Sequence, residues 1–222
     1  MEADLRDAVI VSDLHIGLPY FRRAAFVRLI RSLDAGTALV LNGDTIDNPG
    51  RRLSGEDVAV VEVIRDESLR RQVIWIYGNH DENVALEDPG RIVFARHLII
   101  GRRLMVVHGD DFDDVMPRNR FFMRFCKRLH RLRIRLGASP VHVAEFAKSW
   151  FPLFYRILRR QVKLNAVRCA AENGVEAITC GHTHYMEDCH HEGVRYINTG
   201  SWTEPRRCYI HLTAREINMV KA

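Results

Sequence analysis

The stretch EAITCGHTHY, residues 176–185, joins a short apolar run to two histidines that lie one residue apart. An apolar run of this length, followed directly by glycine, is typical of a buried strand that ends in a turn. His182 and His184 therefore follow a predicted strand, either as metal ligands or as part of a polar turn. The pair alone fits both interpretations, and the side chains that the rest of the chain places beside it decide between them.

Four other apolar runs of the chain end in the same way. They are AVIVS at 8–12, ALVLN at 38–42, VIWIY at 73–77 and LMVVH at 104–108. The polar residues at or just after their ends are Asp13, His15, Asp44, Asp47, Asn79, His80 and His108. In parallel α/β sheets the carboxyl ends of the strands open onto one crevice. The sequence therefore predicts that these side chains and the two histidines of GHTH converge on one site.

The pattern between these runs predicts an α/β fold. Helical periodicity over residues 21–33 and 55–71 separates the first three strands, which gives a β-α-β-α-β opening with parallel strands. In the C-terminal third, short strands alternate with turns at HHEG and TAR, a pattern typical of antiparallel pairing. A chain of 222 residues is long enough for one domain with a full core.

Residues 118–170 interrupt the strand series with a mostly helical stretch, which we interpret as an inserted basic cap. Residues 112–165 carry 13 Lys and Arg but only 3 Asp and Glu, a net charge of +10, whereas the whole chain carries +5. Such a basic stripe is typical of surfaces that meet phosphates, although it also fits a solvated helix face. The apolar run 150–158 either lines a groove or packs against the main domain.

The candidate ligands favour two divalent transition metal ions. Imidazoles combined with carboxylates suit manganese, iron, zinc or cobalt, whereas magnesium and calcium prefer oxygen ligands. The set is also too large for a single ion. Two ions about 3.5–4 Å apart clamp a phosphate and turn a bridging water into hydroxide near neutral pH. The residues therefore predict metal-assisted hydrolysis of a phosphate ester.

The motifs DLH, GDTID, GNHD, HGD and GHTH, in this order, resemble those of the calcineurin-like metallophosphoesterase superfamily. The resemblance implies a two-sheet β-sandwich flanked by helices (α-β-β-α), as a single domain over residues 1–222 with the cap inserted. It also implies two metal ions, most often Mn²⁺. One ion would be held by Asp13, His15 and His184, the other by Asn79, His108 and His182, and both by Asp44. His80 would be catalytic, acting on the leaving oxygen or on transition-state charge, with Asp47 orienting its ring.

Within this superfamily the compact size, the basic cap and the ending NTGSW are similar to bacterial UDP-2,3-diacylglucosamine hydrolases of the GNHD branch. The chain departs from their best-known members at His80, where they have Arg, and in the cap run SWFPLFYRILRR, which lacks their polar sugar-binding helix. The expected reaction is attack of a metal-bridging hydroxide on phosphorus in a UDP-diacylglucosamine-like lipid. Four cap residues are expected to face phosphate or an anionic bilayer: Arg156, Arg159, Arg160 and Lys163.

Two other functions fit the same fold. In a nuclease or soluble phosphodiesterase the cap would follow a phosphate backbone, but its aromatic residues cluster instead of alternating with basic ones, so nucleic acid is not the expected partner. In a non-catalytic scaffold the cap would serve as a membrane or partner surface, but no ligand position is missing from the motifs. Hydrolysis of bis(p-nitrophenyl) phosphate with manganese separates scaffold from enzyme.

Cysteine usage and the N-terminal sequence predict the compartment. The five cysteines are odd in number, scattered and without a CxxC pair, which indicates neither a disulfide framework nor a thiolate zinc site. No secretion signal or membrane-length apolar run is visible. We therefore expect a cytoplasmic protein that contacts the inner face of the cytoplasmic membrane peripherally.

Overall fold

The computed structural model describes all residues 1–222 and contains two six-stranded β-sheets and six α-helices. The strands are β1 (Glu2–Ala3), β2 (Ala8–Val11), β3 (Ala38–Asn42), β4 (Val73–Ile76), β5 (Val93–Ala95), β6 (His97–Ile100), β7 (Leu104–Val107), β8 (Ala177–Cys180), β9 (Glu187–His191), β10 (Val194–Asn198), β11 (Cys208–Leu212) and β12 (Ile217–Lys221). The helices are α1 (Arg23–Arg31), α2 (Gly55–Ser68), α3 (Val115–Arg118), α4 (Arg120–Arg135), α5 (Val143–Trp150) and α6 (Pro152–Glu172).

The first sheet has the strand order β12-β11-β2-β3-β4-β5. Strands β2 to β5 run parallel, and α1 and α2 connect the first three, as the β-α-β-α-β pattern predicts. Strand β11 joins β2 in antiparallel orientation, and β12 closes the edge as the partner of β11. The antiparallel C-terminal portion is therefore present, and half of it extends the first sheet.

The second sheet has the order β1-β6-β7-β8-β10-β9. Its centre is parallel, because β8 pairs in parallel with both β7 and β10. Strand β6 is antiparallel to β7 and parallel to β1, and β9 is antiparallel to β10. The five strands that precede the predicted ligands are thus divided between two sheets, three in the first and two in the second. The crevice therefore lies where the ends of two packed sheets meet, and not at the edge of one parallel sheet as the strand pattern alone predicts.

The core has three layers that follow from where the apolar side chains point. Ile10 and Val40 of the first sheet meet Leu98 and Val106 of the second between the sheets. Helices α1 and α2 cover the outer face of the first sheet. The C-terminal half of α6 covers the outer face of the second, where Val167 lies in a buried cluster with residues of β7, β8 and β10. The fold is therefore the two-sheet sandwich flanked by helices that the resemblance implies.

Helices α3 to α6 lie between β7 and β8 and form the predicted cap region. The second half of α6 belongs to the flank of the sandwich, while α4, α5 and the start of α6 extend beyond it. The division into one domain with an inserted cap over residues 118–170 stays a prediction. None of the helices is both long enough and apolar enough to cross a bilayer.

Candidate metal centre

The predicted ligands occupy sharp turns directly after the strands. Asp13, His15, Asp44, His182 and His184 all have positive φ angles, between 50° and 60°. This left-handed conformation is uncommon for residues other than glycine, and such strained residues occur mostly at functional sites. It turns the chain back at the strand end, so that consecutive side chains point into the crevice between the sheets.

Glycines next to the ligands allow the turns to approach one another. A Cβ atom at Gly43, whose φ is 76°, would overlap the His108 ring. A Cβ at Gly181 would overlap the carboxylate of Asp13. Each glycine of the GD and GH pairs is therefore required because a larger residue would overlap a ligand that follows another strand.

Side chains from both sheets form three groups whose nitrogen and oxygen atoms lie within 4.8 Å of one another. The groups are Asp13, Asp44 and His108; His15, Asp44 and His80; and His15, His142 and His184. Asp44 belongs to two of the groups, which is the arrangement a bridging carboxylate needs. Its Oδ2 atom lies 3.3 Å from His108 Nε2 and 3.8 Å from His15 Nε2.

Asn79 and His182 form a fourth contact within the site. The Oδ1 atom of Asn79 lies 3.0 Å from Nδ1 of His182. The other ring nitrogen of His182 lies 2.8 Å from Oδ2 of Asp113, a buried carboxylate in front of α3. A carboxylate on the far nitrogen fixes the orientation of a ligating imidazole and raises its basicity. Asp113 was missed by the sequence reasoning, because it lies outside every motif.

These residues fit a pair of divalent metal ions. Asp13 Oδ2 and His108 Nε2 are fully buried inside the site, yet neither makes a hydrogen bond. The Nε2 atoms of His15 and His184 lie only 3.1 Å apart. Buried polar atoms without partners are costly unless something else satisfies them, and the donor set of imidazoles, carboxylates and one amide is that of transition metals. All seven predicted metal ligands lie at this edge of the sandwich.

The protonation of the site also suits cations. Burial raises the pKa values of Asp13 and Asp44, but the neighbouring imidazoles outweigh burial and hold both pKa values below the usual range. Burial lowers the pKa of His184 to about 4, although Asp13 opposes the shift. Asp13, Asp44 and His184 are thus in the forms that bind metal. At His108 burial lowers the pKa, but the charge of Asp44 outweighs burial and raises the pKa well above its usual range, so metal binding at His108 would release a proton.

His80 and Asp47 lie in contact with each other beside the candidate ligands. The Nδ1 atom of His80 is 2.8 Å from the backbone oxygen of Asp47 and 3.3 Å from its carboxylate, which is also 3.1 Å from Nδ1 of His15. Burial alone would lower the pKa of His80, but the hydrogen bond to Asp47 and the charge of Asp44 raise the pKa to about 9. The predicted orienting contact between Asp47 and His80 is present in the structure; their catalytic roles stay a prediction.

Asp81, the last residue of GNHD, forms hydrogen bonds to both the turn that carries Asp44 and the turn that carries Asn79. Its Oδ1 atom accepts a hydrogen bond from the backbone N–H of Gly78 at 2.7 Å. Its Oδ2 atom accepts from Thr45 N at 2.8 Å and from the indole Nε1 of Trp75 at 3.0 Å. Asp81 is completely buried and contacts no candidate ligand side chain. Its function was not assigned from the sequence, since the motif alone does not distinguish a ligand from a support.

The cap brings two further side chains to the site that the sequence reasoning did not select. His142, at the N-terminus of α5, stacks on His184 with ring centroids 4.8 Å apart. Lys148 of α5 donates hydrogen bonds to the backbone oxygen of His184 and to the carboxylate of Glu204, the latter at 2.6 Å. No sequence signal marks either residue, because their contacts span more than thirty positions.

The four basic residues predicted to face phosphate are differently placed. Lys163 lies 2.6 Å from the carboxylate of Glu187, and Arg159 pairs with the same carboxylate and covers the ring of Tyr185. Arg156 and Arg160 are exposed and form no ion pair. A role in substrate binding stays a prediction for all four, and Arg156 and Arg160 are the two that lack an acidic partner.

A pocket of about 170 Å³ connects the metal centre to the apolar interior of the cap. Its floor contains His15, Asp44, Asn79, His80, His182 and His184. Its walls are mainly apolar side chains of α4, α5 and α6, among them Phe122, Met123, Phe151, Phe154 and Leu158. The run 150–158 is therefore divided: Phe151, Phe154, Tyr155 and Leu158 line the pocket, whereas Trp150, Leu153 and Ile157 are exposed.

The fold and the site together define an α-β-β-α sandwich with a candidate centre for two metal ions at the shared edge of its sheets. The chain belongs to the calcineurin-like phosphoesterase superfamily, whose domain model matches residues 7–215. The superfamily predicted from the motifs is confirmed. The narrower resemblance to UDP-2,3-diacylglucosamine hydrolases stays a prediction.

Solved structures with the same fold have low sequence identity to the chain. An archaeal phosphodiesterase is 16% identical over 97% of this chain and 99% of its own, with a TM-score of 0.51. A cold-active protein-tyrosine phosphatase of a psychrophilic Shewanella species is 12% identical over 99% and 81%, with a TM-score of 0.53. Vacuolar protein sorting 29 from Cryptosporidium parvum is 12% identical over 97% of each chain, with a TM-score of 0.46. No curated protein sequence matches the chain. The similarities to the phosphodiesterase and the phosphatase show the fold alone.

Proposed function

We propose that this protein is a metal-dependent hydrolase of a phosphoester or diphosphate that is attached to an apolar group. A UDP-diacylglucosamine-like lipid at an anionic membrane surface is the substrate class we favour. The pocket carries this proposal, because the candidate ligands form its floor and apolar side chains form its walls. A phosphate bound at the floor would leave the adjoining part of the substrate among aromatic and aliphatic groups.

The chain supplies distinct groups for binding and for proton transfer. Asp13, His15 and His184 would hold one ion, Asn79, His108 and His182 the other, and Asp44 both. Two such ions, when bound, neutralise phosphate charge and lower the pKa of bound water towards neutrality. His80 lies at the pocket floor, where it would donate a proton to the leaving oxygen, and Asp47 would hold its ring in place.

The outer face of the cap supports a membrane-bound substrate. Helix α4 exposes Phe121, Phe125 and Leu132, and Leu136 directly after the helix is also exposed; these residues recur at helical spacing with Arg and Lys between them. A helix with exposed apolar side chains and basic residues on its polar face is suited to bind in the interfacial region of an anionic bilayer. Because α4 also lines the pocket through Phe122 and Met123, a substrate could pass from the bilayer to the metal centre along one helix.

The test is the chain-length dependence of hydrolysis by the manganese-loaded protein. UDP-sugars carrying acyl chains of increasing length are compared by kcat/KM, with bis(p-nitrophenyl) phosphate as a soluble phosphodiester. Each methylene that enters the pocket is worth about 0.8 kcal/mol, so kcat/KM should rise about fourfold per methylene until the pocket is full.

Two neighbouring residues of α6 provide a matched pair of variants. Phe154→Ala removes a pocket wall, whereas Leu153→Ala removes a side chain that is 68% exposed. We expect Phe154→Ala to flatten the chain-length profile and Leu153→Ala to leave it unchanged, with the melting temperature recorded for both. A flat profile in the wild type would transfer the assignment to a soluble phosphoester, and the absence of hydrolysis with any metal would leave a non-catalytic scaffold.

A further inference from the structure

His142 is the one histidine of the centre that comes from the cap. It lies directly before α5, with only 9% of its surface exposed, and lines the pocket beside the candidate ligands. Its ring is stacked on His184 and lies 5.1 Å from His15, centroid to centroid. By position alone it could be taken for an additional metal ligand.

The hydrogen bonding of its ring argues against a ligand. The backbone N–H of Ala144 donates to Nδ1 of His142 at 3.2 Å, so that the ring caps the N-terminus of α5. A nitrogen that accepts a hydrogen bond carries no proton, and the proton of the neutral imidazole is therefore on Nε2. The Nε2–H group makes no hydrogen bond within the protein, so it is a free donor in a pocket floored by metal ligands.

Tyr155 adds a second observation of the same kind. It is only 6% exposed, it lines the same pocket, and its buried hydroxyl has no hydrogen-bond partner. A buried hydroxyl without a partner destabilises the folded state unless a ligand or water satisfies it. An unpartnered donor directly before α5 and an unpartnered hydroxyl on α6 thus belong to residues that line a pocket whose floor suits a phosphate.

We propose that His142 Nε2–H and the hydroxyl of Tyr155 donate hydrogen bonds to the non-bridging oxygens of the bound phosphoryl group. The inference rests on the proposed function for its substrate class. Fixed donors of this kind favour the transition state because negative charge grows on those oxygens during hydrolysis. The cap would then act in the reaction itself, besides selecting the substrate.

Two substitutions of His142 separate its capping contact from its free donor. In His142→Asn the side-chain oxygen takes the place of Nδ1 and keeps the cap, since Asn is a favoured residue at this position, but nothing replaces Nε2–H. In His142→Gln an amide N–H reaches the position of Nε2, but the cap is lost. Tyr155→Phe removes only the hydroxyl.

The measurements are metal content, the affinity of the metal-loaded protein for inorganic phosphate by calorimetry, and kcat. We expect His142→Asn to keep its metals and its melting temperature, to bind phosphate at least tenfold more weakly, and to lose about 10²- to 10³-fold in kcat. His142→Gln should melt lower yet recover part of the phosphate affinity. Tyr155→Phe should weaken phosphate binding while its melting temperature stays the same or rises.

The outcomes distinguish this inference from the proposed function. If the wild type binds phosphate but hydrolyses no phosphoester, the proposed function fails and the phosphate affinities still decide on the two donors. Unchanged phosphate affinity in His142→Asn, or loss of metal from it, overturns the assignment of His142. Unchanged affinity in Tyr155→Phe overturns that of Tyr155, and a wild type that binds no phosphate overturns both.

Discussion

Replacing Asp81 by Asn should destabilise the protein and weaken its metal binding, although Asp81 contacts no candidate ligand side chain. The carboxylate accepts hydrogen bonds from Thr45 N, Trp75 Nε1 and Gly78 N, so both of its oxygens face donors. An asparagine has only one oxygen to offer. With that oxygen towards Thr45 and Trp75, its NH₂ group faces the N–H of Gly78, and two donors confront each other.

The magnitude follows from those contacts. Loss of a hydrogen bond to a charged acceptor costs about 1.5–3 kcal/mol, and a buried N–H left without an acceptor costs a similar amount. Removing a buried charge offsets part of this cost. We therefore expect a loss of about 2–4 kcal/mol in the free energy of unfolding, which lowers the melting temperature of a chain of this length by about 5–15 °C. Because Asp81 joins the turns that carry Asp44 and Asn79, metal affinity should fall about 10- to 100-fold, as for other supports of metal ligands.

The assay is thermal and urea unfolding in the presence of EDTA, followed by manganese titration of the refolded protein. Glu82→Gln is the matched control, because Glu82 is the next residue, is exposed and pairs only with Arg96. The control should stay within about 0.5 kcal/mol of the wild type. A melting temperature for Asp81→Asn equal to that of Glu82→Gln, together with unchanged manganese affinity, would refute the reasoning.

Three further predictions concern the metal centre. Asp44→Ala should lose bound metal and hydrolytic activity together, measured by elemental analysis and turnover, and full activity in this variant would contradict a bridging role. His80→Ala should retain its metals while kcat falls about 10²- to 10⁴-fold; loss of metal would instead make His80 a ligand. In metal-free protein the pKa of His80 is about 9, above the value of about 6.5 expected in the unfolded chain. The protonated ring therefore stabilises the folded state fully below pH 6.5, and this stabilisation is lost as the pH rises through 9. The difference in melting temperature between metal-free wild type and His80→Ala should therefore shrink between pH 6.5 and 9. A difference that stays constant over this range would contradict the raised pKa of His80.

The sequence predicted the parts of the fold that are encoded locally. Strands β2, β3, β4, β7 and β8 are continuous buried apolar runs, and in each the next residues include a candidate ligand. Strands β1, β5 and β6 were not predicted, because they have two to four residues and mostly mixed burial, which leaves no clear periodicity. Their positions depend on pairing with strands far along the chain.

Likewise, only the residues of the candidate site that belong to local sequence motifs could be predicted from the sequence. Ligands such as Asp13 and His184 adjoin strands and glycines, so motif and spacing identify them. Asp113 and His142 act through contacts made across the chain, and no local pattern identifies them. The charges of Arg159 and Lys163 predict phosphate contacts, and this stays a prediction. No local pattern indicates that both residues lie beside Glu187, which is 24 or more residues away in the sequence.

Helix α6 also determines which part of the cap is able to move. It is a single helix of 21 residues, about 30 Å long, and one stripe of buried side chains runs along it. Leu158 of this stripe lines the pocket, and Ala166 and Ala170 are packed against the second sheet. Because both halves of α6 are packed in this way, the helix cannot move as a rigid body without losing apolar contacts with the sandwich. Helix α5 is held as well, because Lys148 binds the backbone oxygen of His184 and the carboxylate of Glu204. Opening of the pocket for substrate entry and product release therefore depends on α4, and a fluorescent probe on α4 should report turnover while one on α6 stays silent.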